Sequence, residues 1–138
     1  MKALVLLLLA GPPAAAYVKV SATYVSPVKG ADATIAVQLT PLDPQVRVNE
    51  DPAPRLKLDA AQQVLLDKPA PRKSPRAGPG VGRYLDPALP VAFPVTVASG
   101  APRGDHTVKG TVTYFYCSKS EGWCRKGTAD IEVPVKVP

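Results

Sequence analysis

Prolines are spread along the chain, 17 among 138 residues, with ten glycines beside them. A proline ring clashes with the preceding helical turn and removes a backbone donor, so this composition argues against long helices and favours strands and turns. The hydrophobic fraction of 46% and charged fraction of 20% allow one modest core, and the length fits a single domain.

The apolar pattern has the period of a strand. Val18, Val20, Ala22 and Tyr24 alternate with Lys19, Ser21 and Thr23, and Ile35, Val37 and Leu39 share one face within Ala33 to Leu39. Such alternation marks half-buried strands, here separated by the turn formers Pro27 and Gly30. Val46-Arg47-Val48 and Leu56-Lys57-Leu58 read as short extended pieces, and Gln62 to Leu66 as either a strand or one helical turn. Val91 to Val97 is rich in strand formers, but Pro94 removes a donor, which predicts a sheet edge or a bulge. Thr107 to Tyr116 and Thr128 to Val137 carry the clearest alternation. The proline- and glycine-rich segment from Lys68 to Pro90 is expected to be an irregular loop with at most a brief strand near Tyr84. Roughly seven strands without a helix predict an all-β, antiparallel sandwich.

The first 16 residues have another character. Met1-Lys2, the apolar run Ala3 to Ala10, Gly11-Pro12-Pro13 and Ala14-Ala15-Ala16 follow the three-part order of a secretory signal. The apolar run falls short of the roughly 20 residues a membrane-spanning helix needs. Cleavage after Ala16 would leave a mature domain of residues 17–138 without a transmembrane segment, placed in the periplasm or elsewhere outside the cytoplasm. A buried amino-terminal element of a cytoplasmic domain is the competing reading, and the run of apolar branched residues from Leu4 to Leu9, without polar alternation, fits it poorly.

The formal charge of +6 is scattered. Its densest stretch, Lys68 to Arg83, has no aromatic residue on which a base would stack, so nucleic acid is not an expected partner. His106 is the one histidine and stands beside Asp105 in an apparent turn. With two cysteines and one histidine a zinc site cannot be assembled unless the cysteines stay reduced, so neither metal nor cofactor is expected. Asn49-Glu50-Asp51 before Pro52 reads as a turn, and no phosphate-binding loop, serine elbow or carboxylate pair is present.

Cys117 and Cys124 lie between the last two predicted strands, with six residues between them. If those strands form a hairpin, the cysteines stand at the mouth of its loop, where α-carbons can reach the ~4.4 to 6.8 Å of a disulfide. Export permits oxidation. The pair is then either a staple or a reactive disulfide. Reactivity requires positive charge and access, which Lys119, Arg125 and Lys126 can supply together with an apolar rim of Phe115 and Trp123, while Glu121 opposes it. The spacing is not Cys-x-x-Cys, which excludes a thioredoxin-type centre.

Val48-Asn49-Glu50-Asp51-Pro52, the strand at Leu56 to Leu58, the proline-rich stretch, Gly104-Asp105-His106-Thr107-Val108-Lys109-Gly110, Tyr-x-x-Cys ahead of a second cysteine, and Ile131 to Val137 occur in that order. Together they resemble the amino-terminal periplasmic domain of the thiol:disulfide interchange protein DsbD family, over about Tyr17 to Val137. The resemblance implies an immunoglobulin-like sandwich in which Cys117 and Cys124 are the redox pair. It implies a membrane-embedded thiol–disulfide electron donor and exported thioredoxin-like or cytochrome-maturation acceptors as partners. It also implies an aromatic cap over the cysteines, for which Tyr84, Phe93 and Trp123 are the candidates. The family has five residues between its cysteines where this chain has six, and no membrane-spanning or thioredoxin-like segment follows, so the donor is expected to be a separate protein. The competing reading is a non-enzymatic immunoglobulin-like interaction module with a structural disulfide.

Overall fold

A computed structural model describes residues 17–27, 33–67 and 84–138. The expected signal segment at residues 1–16, the expected turn position Gly30 and the proline-rich stretch up to residue 83 lie outside them. Eight strands occur in the described residues: β1 (Val18–Val25), β2 (Ala33–Pro41), β3 (Val46–Val48), β4 (Arg55–Leu58), β5 (Leu65–Asp67), β6 (Val91–Val97), β7 (Gly104–Ser118) and β8 (Cys124–Val137). No helix is found among the described residues.

The strands form two antiparallel sheets. The first has the order β1-β2-β6-β5. In the second, β7 pairs with β8 along one edge and with both β3 and β4 along the other. β7 can serve both short strands because it is 15 residues long: β3 pairs with Tyr116 to Ser118, and β4 with Gly110 to Thr113.

Period-two alternation decides what each strand buries. Ala33, Ile35, Val37 and Leu39 of β2, Phe93 and Val95 of β6, Val108, Val112, Tyr114 and Tyr116 of β7, and Ile131, Val133 and Val135 of β8 belong to one hydrophobic core fed by both sheets. Gly127 and Gly110 fall on the inward parity of the hairpin because larger side chains occupy the space. A Cβ on Gly127 would stand 2.5 Å from Tyr114 Cζ, and one on Gly110 would stand 3.0 Å from the Lys57 carbonyl oxygen.

Two local expectations are corrected and one open alternative is decided. β6 is an inner strand, between β2 and β5, and not an edge. Pro94 pairs with Thr34 of β2, and the described pairing with β5 runs from Val97 to Val95. Gln62 to Leu66 resolves into a turn followed by β5: the Gln62 side-chain oxygen accepts from the Val64 and Leu65 amides, which closes the turn and starts the strand. Asp105 and His106 are not in a turn; they pair with Lys136 and Val135 inside the β7–β8 ladder.

Candidate functional site

The β7–β8 hairpin stays in register for its whole length and ends on Cys117 opposite Cys124. Beyond them Ser118 N–H donates to the Trp123 carbonyl at 2.9 Å. That bond makes Ser118 and Trp123 a hydrogen-bonded pair and the cysteines the closer, non-hydrogen-bonded kind, whose side chains approach best. The sulfurs are bonded to each other, with the α-carbons 4.0 Å apart.

The loop is closed largely through Ser118. Its carbonyl accepts from Gly122 N–H at 3.0 Å, and its buried hydroxyl accepts from Glu121 N–H at 3.3 Å. Gly122 adopts φ 72°, the left-handed region that glycine enters without strain. Lys119 N–H donates to the Gln45 carbonyl at 2.9 Å and ties the loop to the start of β3.

The two cysteines are unequal. Cys117 is 7% exposed, whereas Cys124 is open to solvent. Cys117 is buried because its sheet neighbours continue on that side: β3 places Arg47 directly opposite it. The Asn49 N–H donates to the Phe115 carbonyl at 2.7 Å, and Asn49 forms a bridge with Tyr84 on its other side. Paired residues share a face of a sheet. Arg47, Cys117 and Cys124 therefore form one row across the outer face, and Tyr84, Asn49, Phe115 and Lys126 form the next. Asn49 Oδ1 lies 3.3 Å from Cys117 Sγ.

The other face of the hairpin end is aromatic. Trp123 meets Tyr116 and Tyr17 edge-on, with ring centroids 5.6 and 5.2 Å apart, and Tyr17 lies 5.8 Å from Tyr116. The Arg125 guanidinium stacks 4.2 Å above the Trp123 ring and reaches toward Tyr17 at 5.8 Å, a cation–π arrangement at the exposed surface. The Trp123 indole N–H donates to the Glu121 carboxylate, so this acid is engaged with the indole.

Of the residues expected around the cysteines, Tyr84 and Phe115 fall on the sulfur-bearing face. Trp123 and Arg125 fall beside the pair on the face used by Tyr116. Lys119 and Lys126 are exposed at the same end. Phe93 does not cap the cysteines: it is 2% exposed in β6 of the other sheet, paired with Ile35. Arg47, Asn49 and Tyr17 escaped the sequence reading of the site. Their placement depends on which strand lies beside β7, which alternation does not reveal.

Beneath the site Tyr114 is fully buried, 5.8 Å from Tyr116. Burial pushes its phenol up to about 12, and the neighbouring Tyr116 adds to the rise. His106 is tied to the Pro102 carbonyl at 2.6 Å. Among the described residues no three histidine, cysteine or acidic side chains gather as a metal site would require. The described residues offer a disulfide between one buried and one exposed cysteine. No known family, curated protein or solved structure matches the chain.

Proposed function

We propose that this chain is an exported thiol–disulfide interchange domain, similar to the amino-terminal domain of the DsbD family, with the two sheets arranged as an immunoglobulin-like sandwich. Cys117 and Cys124 are the exchanging pair. The observation that carries this reading is their unequal exposure at the open end of the hairpin, Cys124 reachable and Cys117 buried. A staple gains nothing from such asymmetry, whereas exchange requires a docking partner to reach one defined sulfur. The signal-like amino terminus supports the compartment in which a disulfide persists.

In this mechanism a thiolate of the membrane-embedded donor attacks Cys124 Sγ in line with the S–S bond. That bond breaks, Cys117 leaves with the electron pair and takes up a proton, and a mixed disulfide remains on Cys124. The donor's second thiolate then displaces Cys124, which completes the transfer of two electrons and leaves the donor oxidised. For delivery, the Cys124 thiolate attacks one sulfur of an exported thioredoxin-like partner's disulfide, which breaks and releases the partner's other sulfur as a thiolate. Cys117 then gives up its proton and attacks Cys124 Sγ, which restores the disulfide and expels the partner's second thiolate. Exposed Lys119 and Lys126 favour the thiolate form electrostatically. The Trp123–Arg125 stack supplies a rigid rim against which a partner docks.

The test is the reduction potential of the pair, obtained by equilibration against defined glutathione or dithiothreitol ratios with free-thiol counting. A potential well above about −300 mV, with the domain still folded when reduced, supports exchange. A pair that resists reduction until the domain unfolds identifies a staple in an interaction module.

A further inference from the structure

We infer that the side-chain amide of Asn49 is a positioning group for the redox pair: it holds the hydrogen that Cys117 gains on reduction, and so keeps the buried cysteine a thiol while the exposed one becomes the nucleophile. This deepens the thiol–disulfide reading of the same site and rests on it.

Asn49 is fixed from two sides. Its backbone N–H is bonded to the Phe115 carbonyl at 2.7 Å, and it bridges Tyr84, whose neighbour Leu85 donates its N–H to the Val48 carbonyl at 2.9 Å. From that anchored backbone Oδ1 reaches to 3.3 Å from Cys117 Sγ. In the disulfide, Cys117 Sγ carries no hydrogen, so the contact joins two acceptors and contributes little. Reduction breaks the S–S bond with two electrons and two protons, one for each sulfur. Once the sulfurs separate, a hydrogen on Cys117 Sγ directed at Oδ1 makes an S–H···O hydrogen bond.

That bond exists only in the reduced, protonated state. It therefore raises the Cys117 thiol pKa, in the same direction as burial, and favours reduction of the pair. The other charged and titratable groups on the rows around Cys117 are Arg47 on β3, Lys126 on β8 and Tyr84 beyond Asn49, and Glu50 follows Asn49 in the chain. The cations Arg47 and Lys126 draw the pKa downward, so the amide works against them. The sign of an Asn49 substitution isolates its share.

The experiment compares Cys117 thiolate absorbance against pH in Cys124→Ser and in the same chain carrying Asn49→Ala or Asn49→Asp. Asn49→Ala is expected to lower the Cys117 pKa by about half a unit to one unit, the range of one modest hydrogen bond. Asn49→Asp is expected to raise it, since a carboxylate accepts the same hydrogen and repels the thiolate. In the chain with both cysteines, Asn49→Ala should make reduction roughly three- to tenfold less favourable, a fall in potential of up to about 30 mV for this two-electron couple. This second measurement decides the matter if Cys124→Ser does not fold. An Asn49→Ala pKa that is unchanged or higher, or an unchanged potential, overturns the proposal. Failure of the underlying redox reading looks different: the pair resists reduction whatever stands at position 49.

Discussion

Cys117 and Cys124 are directly paired across the last rung of one hairpin, yet β3 covers only the first of them. The reduced protein should therefore alkylate unevenly. Burial disfavours the Cys117 thiolate and blocks approach, while Cys124 stands exposed near Arg125 and Lys126. At neutral pH iodoacetamide should modify Cys124 faster by at least on the order of tenfold, the factor carried by one unit of pKa. Peptide mapping after short exposure measures the ratio. Equal labelling would remove the asymmetry on which the proposed mechanism stands.

Gly127 should be intolerant of a side chain. It is the register partner of Tyr114, and a Cβ there would come 2.5 Å from Tyr114 Cζ and 2.8 Å from the hydroxyl. The ring cannot retreat easily because Tyr114 is fully buried against Tyr116. Gly127→Ala is expected to cost about 1–3 kcal/mol, the range for overpacking a core. Gly100→Ala is the control, since nothing lies within 4 Å of a Cβ there. Urea unfolding should show a lower midpoint for the first and little change for the second.

Much of this fold was legible because alternation is a local signal. The faces of β1, β2, β7 and β8 follow directly from Val18 to Tyr24, Ile35 to Leu39, Val108 to Tyr116 and Ile131 to Val137. What escaped depended on neighbours. Arg125-Lys126-Gly127 carries no strand signal of its own, yet it is strand because β7 supplies the ladder. Pro94 reads as an edge residue when only its missing donor is considered, yet it stands in an inner strand, paired with Thr34 of β2. Asn49 looks like the start of a turn, and only the adjacency of β3 to the cysteine end of β7 brings its amide to a sulfur. Phe93 lay close to the proline-rich stretch in sequence, but its parity on β6 sends it into the core.

Alkaline stability should depend on Tyr114. Burial raises its pKa to about 12 in the folded state, against 10.0 when unfolded. Between these values the unfolded chain releases the phenolic proton while the native state keeps it. The unfolded state then binds fewer protons, and stability must fall as pH rises. The contribution is intact below pH about 10 and lost as the pH passes through about 12. Tyr114→Phe should flatten this slope, and urea midpoints measured across that window against the parent chain would reveal it. A slope unchanged by Tyr114→Phe would assign the alkaline sensitivity to other groups.

Removing both cysteines should weaken the domain without unfolding it. The disulfide closes a loop of only eight residues, from Cys117 to Cys124, and the chain-entropy relation gives about 2.5 kcal/mol for a loop of that size. Against this stands a hairpin registered from Gly104 opposite Val137 to its cysteine end, and a core shared by both sheets. The loop keeps further ties, Ser118 to Trp123, Gly122 to Ser118 and Lys119 to Gln45. The Cys117→Ser, Cys124→Ser double variant should therefore unfold cooperatively in urea with a reduced midpoint and an unchanged slope. Trp123 is the one tryptophan, packed on Tyr17 and Tyr116 beside the pair, and its emission should report the same transition as far-ultraviolet circular dichroism. A folded double variant is also a condition of the proposed function, because a carrier must pass through its reduced state in every cycle. Loss of the fold on removing the cysteines would show that the bond is indispensable to the scaffold and is no carrier of electrons.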